Sequence, residues 1–399
     1  MIPESWKTVS LSSISTVNGK YGANASACEF DKDKPRYIRI TDIDDNGLLI
    51  PEGKVGAKID NLNEFIVEKN DLLFVRTGST TGKCYLHQES KGCYIFAGFL
   101  VKFQINKNKA IPYYIWTLTK GNSYKKWIQI MSVRSGQPGI NGKEFGEYKI
   151  NLPPLPEQKK IAEILSTWDE AIETNETLIS LYEKYLNSLA LSLVKKKILI
   201  NENVWKQTIL KDVFYDRKSY GCQSDNLKLH SLTIEDGVTA KTDRYNREFL
   251  VKGDSKKYKI AKLHDLVFNP QNLRYGAIAV NSIEHDVLLS PIYATLEIKD
   301  PTKYDIDYLG YLLTSKEMIS FYDSIAEGTL VERMAVKPDV FLNQVFSIPD
   351  IATQKKIANI LNTFKKKIYL FKKNKAELQK QKQGLMQRLL TGKVRVKLD

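Results

Sequence analysis

The sequence predicts an α+β protein: two similar mixed, mainly β globular units and two long helices, in the order unit, helix, unit, helix. Three observations predict it. From Gln158 to Trp168 the chain reads QKKIAEILSTW, and from Gln354 to Phe364 QKKIANILNTF, eight of eleven residues identical at an offset of 196. Both runs open long stretches with a sustained heptad of seam residues. The preceding segments echo each other at offsets of 194 to 199, which makes the chain an internal repeat with a pseudo-twofold character.

The first helix is the clearest element. No Gly or Pro interrupts Glu157 to Lys197. Its seam is Ile161, Leu165, Trp168, Ile172, Asn175, Ile179, Tyr182, Leu186, Leu189 and Leu193, spaced alternately four and three. Pro156 suits a first turn and Lys195–Lys197 suit a C-terminus. Such a helix is a rod of roughly 60 Å at 1.5 Å per residue. The second helix repeats the seam as Ile357, Leu361, Phe364, Ile368, Phe371, Lys375, Leu378, Lys382, Leu385 and Leu389. It should stop near Gly392, a good residue just past a helix end. Two seams in one chain imply an intramolecular antiparallel coiled coil. Partner numbers summing to 550 set Ile161 against Leu389, Asn175 against Lys375, and Trp168 against Lys382 as a cation–π contact. A slip of one heptad, to 557, sets Asn175 against Lys382. The boundaries are 1–152 for the first globular unit, 153–198 for the first helix, 199–349 for the second unit, and 350–399 for the second helix and a basic tail.

The globular units read as short strands: Tyr37–Ile43, Leu72–Arg76, Tyr94–Phe103, Lys262–Asn269 and Ile292–Ile298, rich in β-branched and aromatic residues between turn formers. Pro112–Lys120 and Asp307–Lys316 read as short helices.

Composition narrows the class. At 399 residues, 42% hydrophobic and 27% charged, the chain suits two or three ordinary globular domains. Its longest apolar run, Tyr94 to Val101, is far too short to span a bilayer, and no signal peptide opens it, so a cytoplasmic protein with no membrane partner is expected. Cys28, Cys84, Cys93 and Cys222 lack metal or disulfide spacing and suit free thiols, and four scattered histidines offer no metal site. The net charge of +14 divides as +6 over 1–156, −1 over 157–197, −3 over 198–352 and +12 over 353–399. Part of that last excess is expected to face Glu163, Asp169, Glu170, Glu173 and Glu176 of the first helix; the remainder favours a polyanion or an acidic partner.

No catalytic constellation stands out. Gly78-Ser79-Thr80-Thr81-Gly82-Lys83 has three residues between its glycines and Cys84 after its lysine, so it is not a P-loop. It reads as a Gly-rich turn that carries Arg76, Ser79, Thr80 and Lys83 toward phosphates or bases; a plain surface hairpin is as good a reading of those residues alone. The matching position in the second unit, Asn269-Pro270-Gln271-Asn272-Leu273-Arg274-Tyr275-Gly276, carries Asn, Gln and Arg, which read base edges. Asn269-Pro270 starts like an adenine methyltransferase motif but lacks the second Pro and the aromatic. Loops before each long helix add Arg134, Gln137 and Arg333, and Tyr37–Ile43 adds Arg39. Lys241 to Lys262, with Lys241, Arg244 and Tyr245, is either a phosphate-contacting edge or a solvated face.

Asn151-Leu152-Pro153-Pro154-Leu155-Pro156-Glu157-Gln158-Lys159-Lys160-Ile161-Ala162 resembles the start of the long helix in specificity subunits (HsdS) of type I restriction–modification systems. Ile2 to Lys7, Asp71 to Lys83 and Ser135 to Ile140 are similar to the same family. The resemblance runs the length of the chain, with Ile351-Ala352-Thr353 replacing Pro-Leu-Pro at the second helix. It implies a non-enzymatic subunit that reads double-stranded DNA. Each globular unit would be a target-recognition domain for one half of an asymmetric bipartite site, with the helix pair as spacer. It also implies two methyltransferase (modification) subunits carrying S-adenosylmethionine, restriction/translocase subunits using ATP, and no cofactor on this chain. The alternatives are a DNA methyltransferase with built-in recognition domains, and a coiled-coil DNA-binding scaffold without modification partners.

Overall fold

The computed structural model describes residues 3–59, 61–133, 137–194, 205–240, 257–329 and 334–398. The chain divides into two compact units, Met1–Glu176 with Lys373–Asp399, and Thr177–Lys372. Each unit therefore takes one half of each long helix, Leu155–Val194 and Ile351–Leu389.

The first unit is built on a four-stranded antiparallel sheet ordered Ser15–Tyr21, Leu100–Ile105, Asp71–Val75, Cys84–Leu86. Lys7–Ser10 pairs antiparallel with Lys149–Leu152, the strand that feeds the first long helix. Arg36–Ile38 pairs parallel with Tyr94–Phe96. The core gathers Phe74, Phe103, Tyr114 and Phe145 and continues through Ile161 and Leu165 of one long helix to Met386 and Leu389 of the other.

The second unit repeats this plan. Its four-stranded sheet is ordered Phe214–Asp216, Ala294–Ile298, Leu266–Phe268, Ile278–Val280, and Trp205–Ile209 pairs with Val345–Pro349. Phe214, Phe268, Tyr322 and Phe341 form its core with Ile357 and Leu361. The repeat reaches the backbone: Asn70 and His264, 194 apart, are the non-glycine residues at positive φ among those described (78° and 69°). The next residue in each case is a buried aspartate that accepts a backbone N–H three residues back, Asp71 from Glu68 and Asp265 from Lys262, both at 2.9 or 2.8 Å. A left-handed residue followed by a carboxylate closing the turn is a local solution that both halves keep.

Three strand expectations change. Tyr37–Ile43 stops as a strand at Ile38 and becomes a single helical turn, Ile40–Asp42. Asp42 accepts both the Arg39 N–H and its guanidinium, which closes the turn. Tyr94–Phe103 is two strands, broken by a tight turn in which Leu100 N–H donates to the Ala97 carbonyl at 2.8 Å. Lys262–Asn269 contributes strand only over Leu266–Phe268, because the Asp265 turn occupies its start.

The long helices run antiparallel. In the first unit Asp169 meets Lys382, Asn175 meets Asn374 at 3.1 Å, and Glu176 meets Lys375 at 2.7 Å. These pairs lie within one residue of the register summing to 550. In the second unit the Tyr182 ring packs at a tilt against both Phe364 and Phe371, and Glu183 pairs with Lys372. Ile161, Leu165, Asn175, Ile357, Leu361, Ile368 and Leu389 are buried; Trp168, Ile172, Ile179, Leu186, Phe364, Phe371, Lys375 and Leu385 are half-buried. The polar seam positions depart from expectation in their partners. Asn175 bonds Asn374, leaving Lys375 to Glu176, and Lys382 gives its ammonium to Asp169 instead of the Trp168 ring. An ammonium next to a carboxylate gains more than one over an indole. Gly392, at φ +69°, follows the second helix and donates its N–H to Leu389.

Candidate nucleic-acid interface

In the first unit the sheet strand Asp71–Val75 delivers Arg76 to the surface. The Arg76 guanidinium lies 4.9 Å over the Tyr21 ring and donates to the Gly98 carbonyl at 3.4 Å. The Gly78–Lys83 segment is a tight reversal: Gly82 N–H donates to Val75, Val75 N–H to Lys83, and Thr81 Oγ1 to Gly78. Gly82, at φ +91°, has no room for a side chain, since a Cβ there would sit 2.6 Å from Ile128 Cδ1. Ser79 is left exposed at the tip, with Thr80 half-buried beside it.

The second candidate loop of this unit is stitched onto the first. Ile140 N–H donates to the Arg76 carbonyl at 2.8 Å, and Gly78 N–H donates to the Pro138 carbonyl at 3.0 Å. The exposed Gln137 lies beside Gly78. Arg76, Ser79, Thr80 and Gln137 thus share one surface. Lys83 stands at its edge and is held at 2.6 Å by Asp45. Arg39 does not belong to this cluster. It makes a two-pronged pair with Asp42, whose hydrogen bond holds the guanidinium above its ordinary range. Arg134 lies outside the described residues.

The second unit places its loop by the same bond and fills it differently. Val336 N–H donates to the Pro270 carbonyl at 2.9 Å, the counterpart of Ile140 on Arg76. Asn269 is buried, and its side-chain oxygen accepts the Gln271 N–H at 3.1 Å, so it braces the loop. Leu273–Tyr275 is a helical turn closed by Gly276 at φ +94°. Arg274 turns back to Asp323 at 2.9 Å and over the Tyr275 ring at 5.1 Å. Gln271 and Asn272 are the exposed polar side chains of this loop that face no such ion pair. Lys241, Arg244, Tyr245 and Arg333 lie outside the described residues.

Both units carry a positioning device that the seam pattern does not reveal. Gln158, buried in the first turn of its helix, accepts the Ile111 N–H at 2.9 Å and donates to the Pro153 carbonyl at 2.8 Å and the Lys109 carbonyl at 3.4 Å. Gln354 accepts from Asp305 and donates to Pro349 and Lys303 at 2.8, 2.8 and 3.0 Å. The identical Gln-Lys-Lys-Ile-Ala runs held the signal, as a polar residue at a position that repeats with the core residues. Glu157 is equally buried but has no twin. It accepts from the Trp6 indole at 3.1 Å and from Arg395 at 2.6 and 2.8 Å, which fastens the tail to the first unit, whereas Thr353 takes its place in the repeat.

Among the described residues no group of three or more His, Cys, Asp or Glu could hold a metal ion, and no helix is long and apolar enough to cross a membrane. The two loops present planar and amide hydrogen-bond donors at two matched places.

Residues 3–183 match the family model described as type I restriction modification DNA specificity domain. Over 99% of its length the chain is 27% identical to the type I restriction enzyme MjaVIII specificity subunit of Methanocaldococcus jannaschii, covering 94% of that protein. It is 26% identical to the putative MjaX specificity subunit of the same organism, again over 99% of this chain and 95% of that one. The crystal structure of the S subunit of a type I restriction–modification system from M. genitalium shares the fold with a TM-score of 0.62 at 15% identity, covering 97% of this chain and 96% of that one. A chain from a structure on complex assembly and conformational transition of the type I R-M system does so at 0.56 and 14%, covering 99% and 100%.

Proposed function

We propose that the chain is a specificity subunit of a type I restriction–modification system, a reading its similarity to such subunits supports, and that it reads an asymmetric two-part DNA site, one half per globular unit. The observation that carries this reading is the pair of loops fixed by one shared backbone bond but armed differently: Arg76, Ser79, Thr80 and Gln137 in the first, Gln271 and Asn272 in the second. Arg reads guanine in two-pronged fashion and Asn or Gln reads adenine, so different bases are selected at equivalent places. Lys83 adds phosphate attraction without sequence information.

The helix pair is the spacer between the half-sites in this proposal. The chain works in the cytoplasm with two modification subunits that carry S-adenosylmethionine, and restriction/translocase subunits that use ATP join that core. This chain holds no cofactor and carries out no chemical step itself.

Methylome sequencing of cells with and without this chain tests the reading. Loss of methylation at one motif with two specified halves and an unspecified spacer is expected. A single continuous motif would overturn it. Deleting seven residues from each long helix together should shorten the spacer and leave both halves unchanged; an unchanged spacer would show that the helices do not set it.

A further inference from the structure

Each unit leaves one large apolar side chain in solvent at the same turn. In the first unit the turn is Ala97–Leu100, closed by Leu100 N–H on the Ala97 carbonyl at 2.8 Å. In the second it is Ser290–Tyr293, closed by Tyr293 N–H on the Ser290 carbonyl at 3.0 Å, 193 residues on. The third residue of the first turn is Phe99 and of the second Ile292, and they are 57% and 56% exposed. The residue that follows each turns inward by contrast, Leu100 fully buried and Tyr293 half-buried.

Folding does not ask for these side chains. A single exposed apolar residue is ordinary, and a turn tip usually takes a small or polar residue. Two independent cores leaving one at the same turn is a different matter. The turn also adjoins the candidate reading loop. Arg76 donates its backbone N–H to the Phe99 carbonyl at 3.0 Å and its guanidinium to Gly98. In the second unit, Ala294 just past the turn pairs with Phe268, and Asn269 starts the loop. The carrier is a rigid strand-to-strand turn, suited to placing a side chain with little loss of freedom.

We propose that Phe99 and Ile292 are specificity-determining DNA contacts, each packing on the 5-methyl group of a thymine in its own half-site. A thymine methyl is the one apolar feature of the major-groove edge, and an apolar side chain packed on it favours thymine over cytosine beside the hydrogen-bond difference between the two bases. The inference rests on the two-part reading above. The larger, flatter Phe99 and the branched Ile292 make the two contacts unequal in shape, in keeping with half-sites of different sequence.

The test uses the chain assembled with its modification subunits and duplexes that carry the methylome-defined site. Each thymine is replaced in turn by deoxyuridine, which removes only the methyl, and affinity is measured at fixed salt. One replacement in the first half-site should weaken wild-type binding about three- to tenfold, as a good base contact does. Phe99→Ala should weaken it by a similar factor and abolish the response to that replacement alone. Ile292→Ala should do the same for the other half-site. Both side chains are exposed, so the variants keep their cores, and Phe99→Leu should retain part of the effect. Losses that multiply in the double change, or no thymine that responds, would overturn the inference. So would a 2-aminopurine probe in the half-site that brightens only with Phe99 present, since that marks a wedge between bases. A complex that binds no two-part site at all would instead sink the reading on which the inference stands.

Discussion

Gln158 and Gln354 make the same three bonds with the same atoms; Arg76 and Pro270 share one backbone bond and nothing in their side chains. The two comparisons come from the same repeat. What separates them is burial. A buried amide that satisfies an N–H and two carbonyls has no substitute of its own shape, so both halves keep it. A loop held by its main chain leaves its side chains free, so the halves can diverge there without disturbing the fold.

The largest effects should come from breaking the part that is the same. Gln158→Leu leaves the Ile111 N–H and the Pro153 carbonyl without partners in a buried place, and Gln354→Leu does so for Asp305 and Pro349. Each should destabilise its own unit by about 2–6 kcal/mol, at roughly 1–3 kcal/mol for each of the two stranded groups. Chemical unfolding followed by hydrogen exchange in each unit measures this. Markedly unequal losses would break the equivalence of the two clamps.

Acid should then separate the units. Burial pushes His87 in the first unit down to about 4 from an ordinary 6.5, and its Nδ1 faces the Tyr85 hydroxyl at 2.9 Å. With its folded value depressed, the histidine takes up a proton more readily when unfolded. Its contribution is full above pH 6.5 and is lost as pH falls toward 4, by at most roughly 3 kcal/mol. His87→Gln should flatten that loss for the first unit; a pH response unchanged by the substitution would assign it elsewhere.

Substitutions in the loops should be smaller in energy and sharper in address. Arg76→Ala should weaken binding of the first half-site about tenfold, in the range of one lost two-pronged contact. Gln271→Ala with Asn272→Ala should act on the second half-site alone. Lys83→Ala should cost only about twofold and equally on all sequences, because Asp45 already holds the ammonium and phosphates carry no sequence. Binding titrations against duplexes altered in one half at a time read this out, and an Arg76→Ala loss shared by both halves would contradict the assignment of one loop to one half.

Much of this was legible in the sequence because repetition and periodicity are long-range signals. Eleven aligned residues located both helices, and the spacing of Ile161 and Leu389 gave the register of the polar pairs in the first unit to within a residue. Local competition hid the rest. Tyr37–Ile43 has strand composition throughout, yet Asp42 offers Arg39 a nearer partner than any neighbouring strand. Tyr94–Phe103 is apolar enough for one strand, and only the fold reveals that Ala97–Leu100 turns a corner. Among the candidate readers, sequence assigns residue types but not their debts to neighbours: Asn269, Arg274 and Arg39 are taken by Gln271, Asp323 and Asp42, whereas Arg76, Gln137, Gln271 and Asn272 reach the surface.

The smallest effects, in the helix pair, still distinguish its two halves. In the first unit Asp169 is enclosed from two sides: it accepts the Lys382 ammonium and the hydroxyl of Tyr113, whose burial and bond to that carboxylate push the phenol far up. In the second unit Lys372 and Glu183 meet at 2.8 Å with 58% and 44% of their side chains exposed. Water and salt screen the second pair, so a double-mutant cycle on Lys372 and Glu183 should give less than about 0.5 kcal/mol, and salt should erase it. The Asp169–Lys382 pair, with Lys382 only 16% exposed, should reach about 1 kcal/mol and persist at high salt. Removing Asp169 alone should cost more than the coupling, since it also strands the Tyr113 hydroxyl. If the two cycles came out equal, the lysines of the seam would be interchangeable surface charges, and register would rest on the Asn175–Asn374 bond and the apolar seam residues alone.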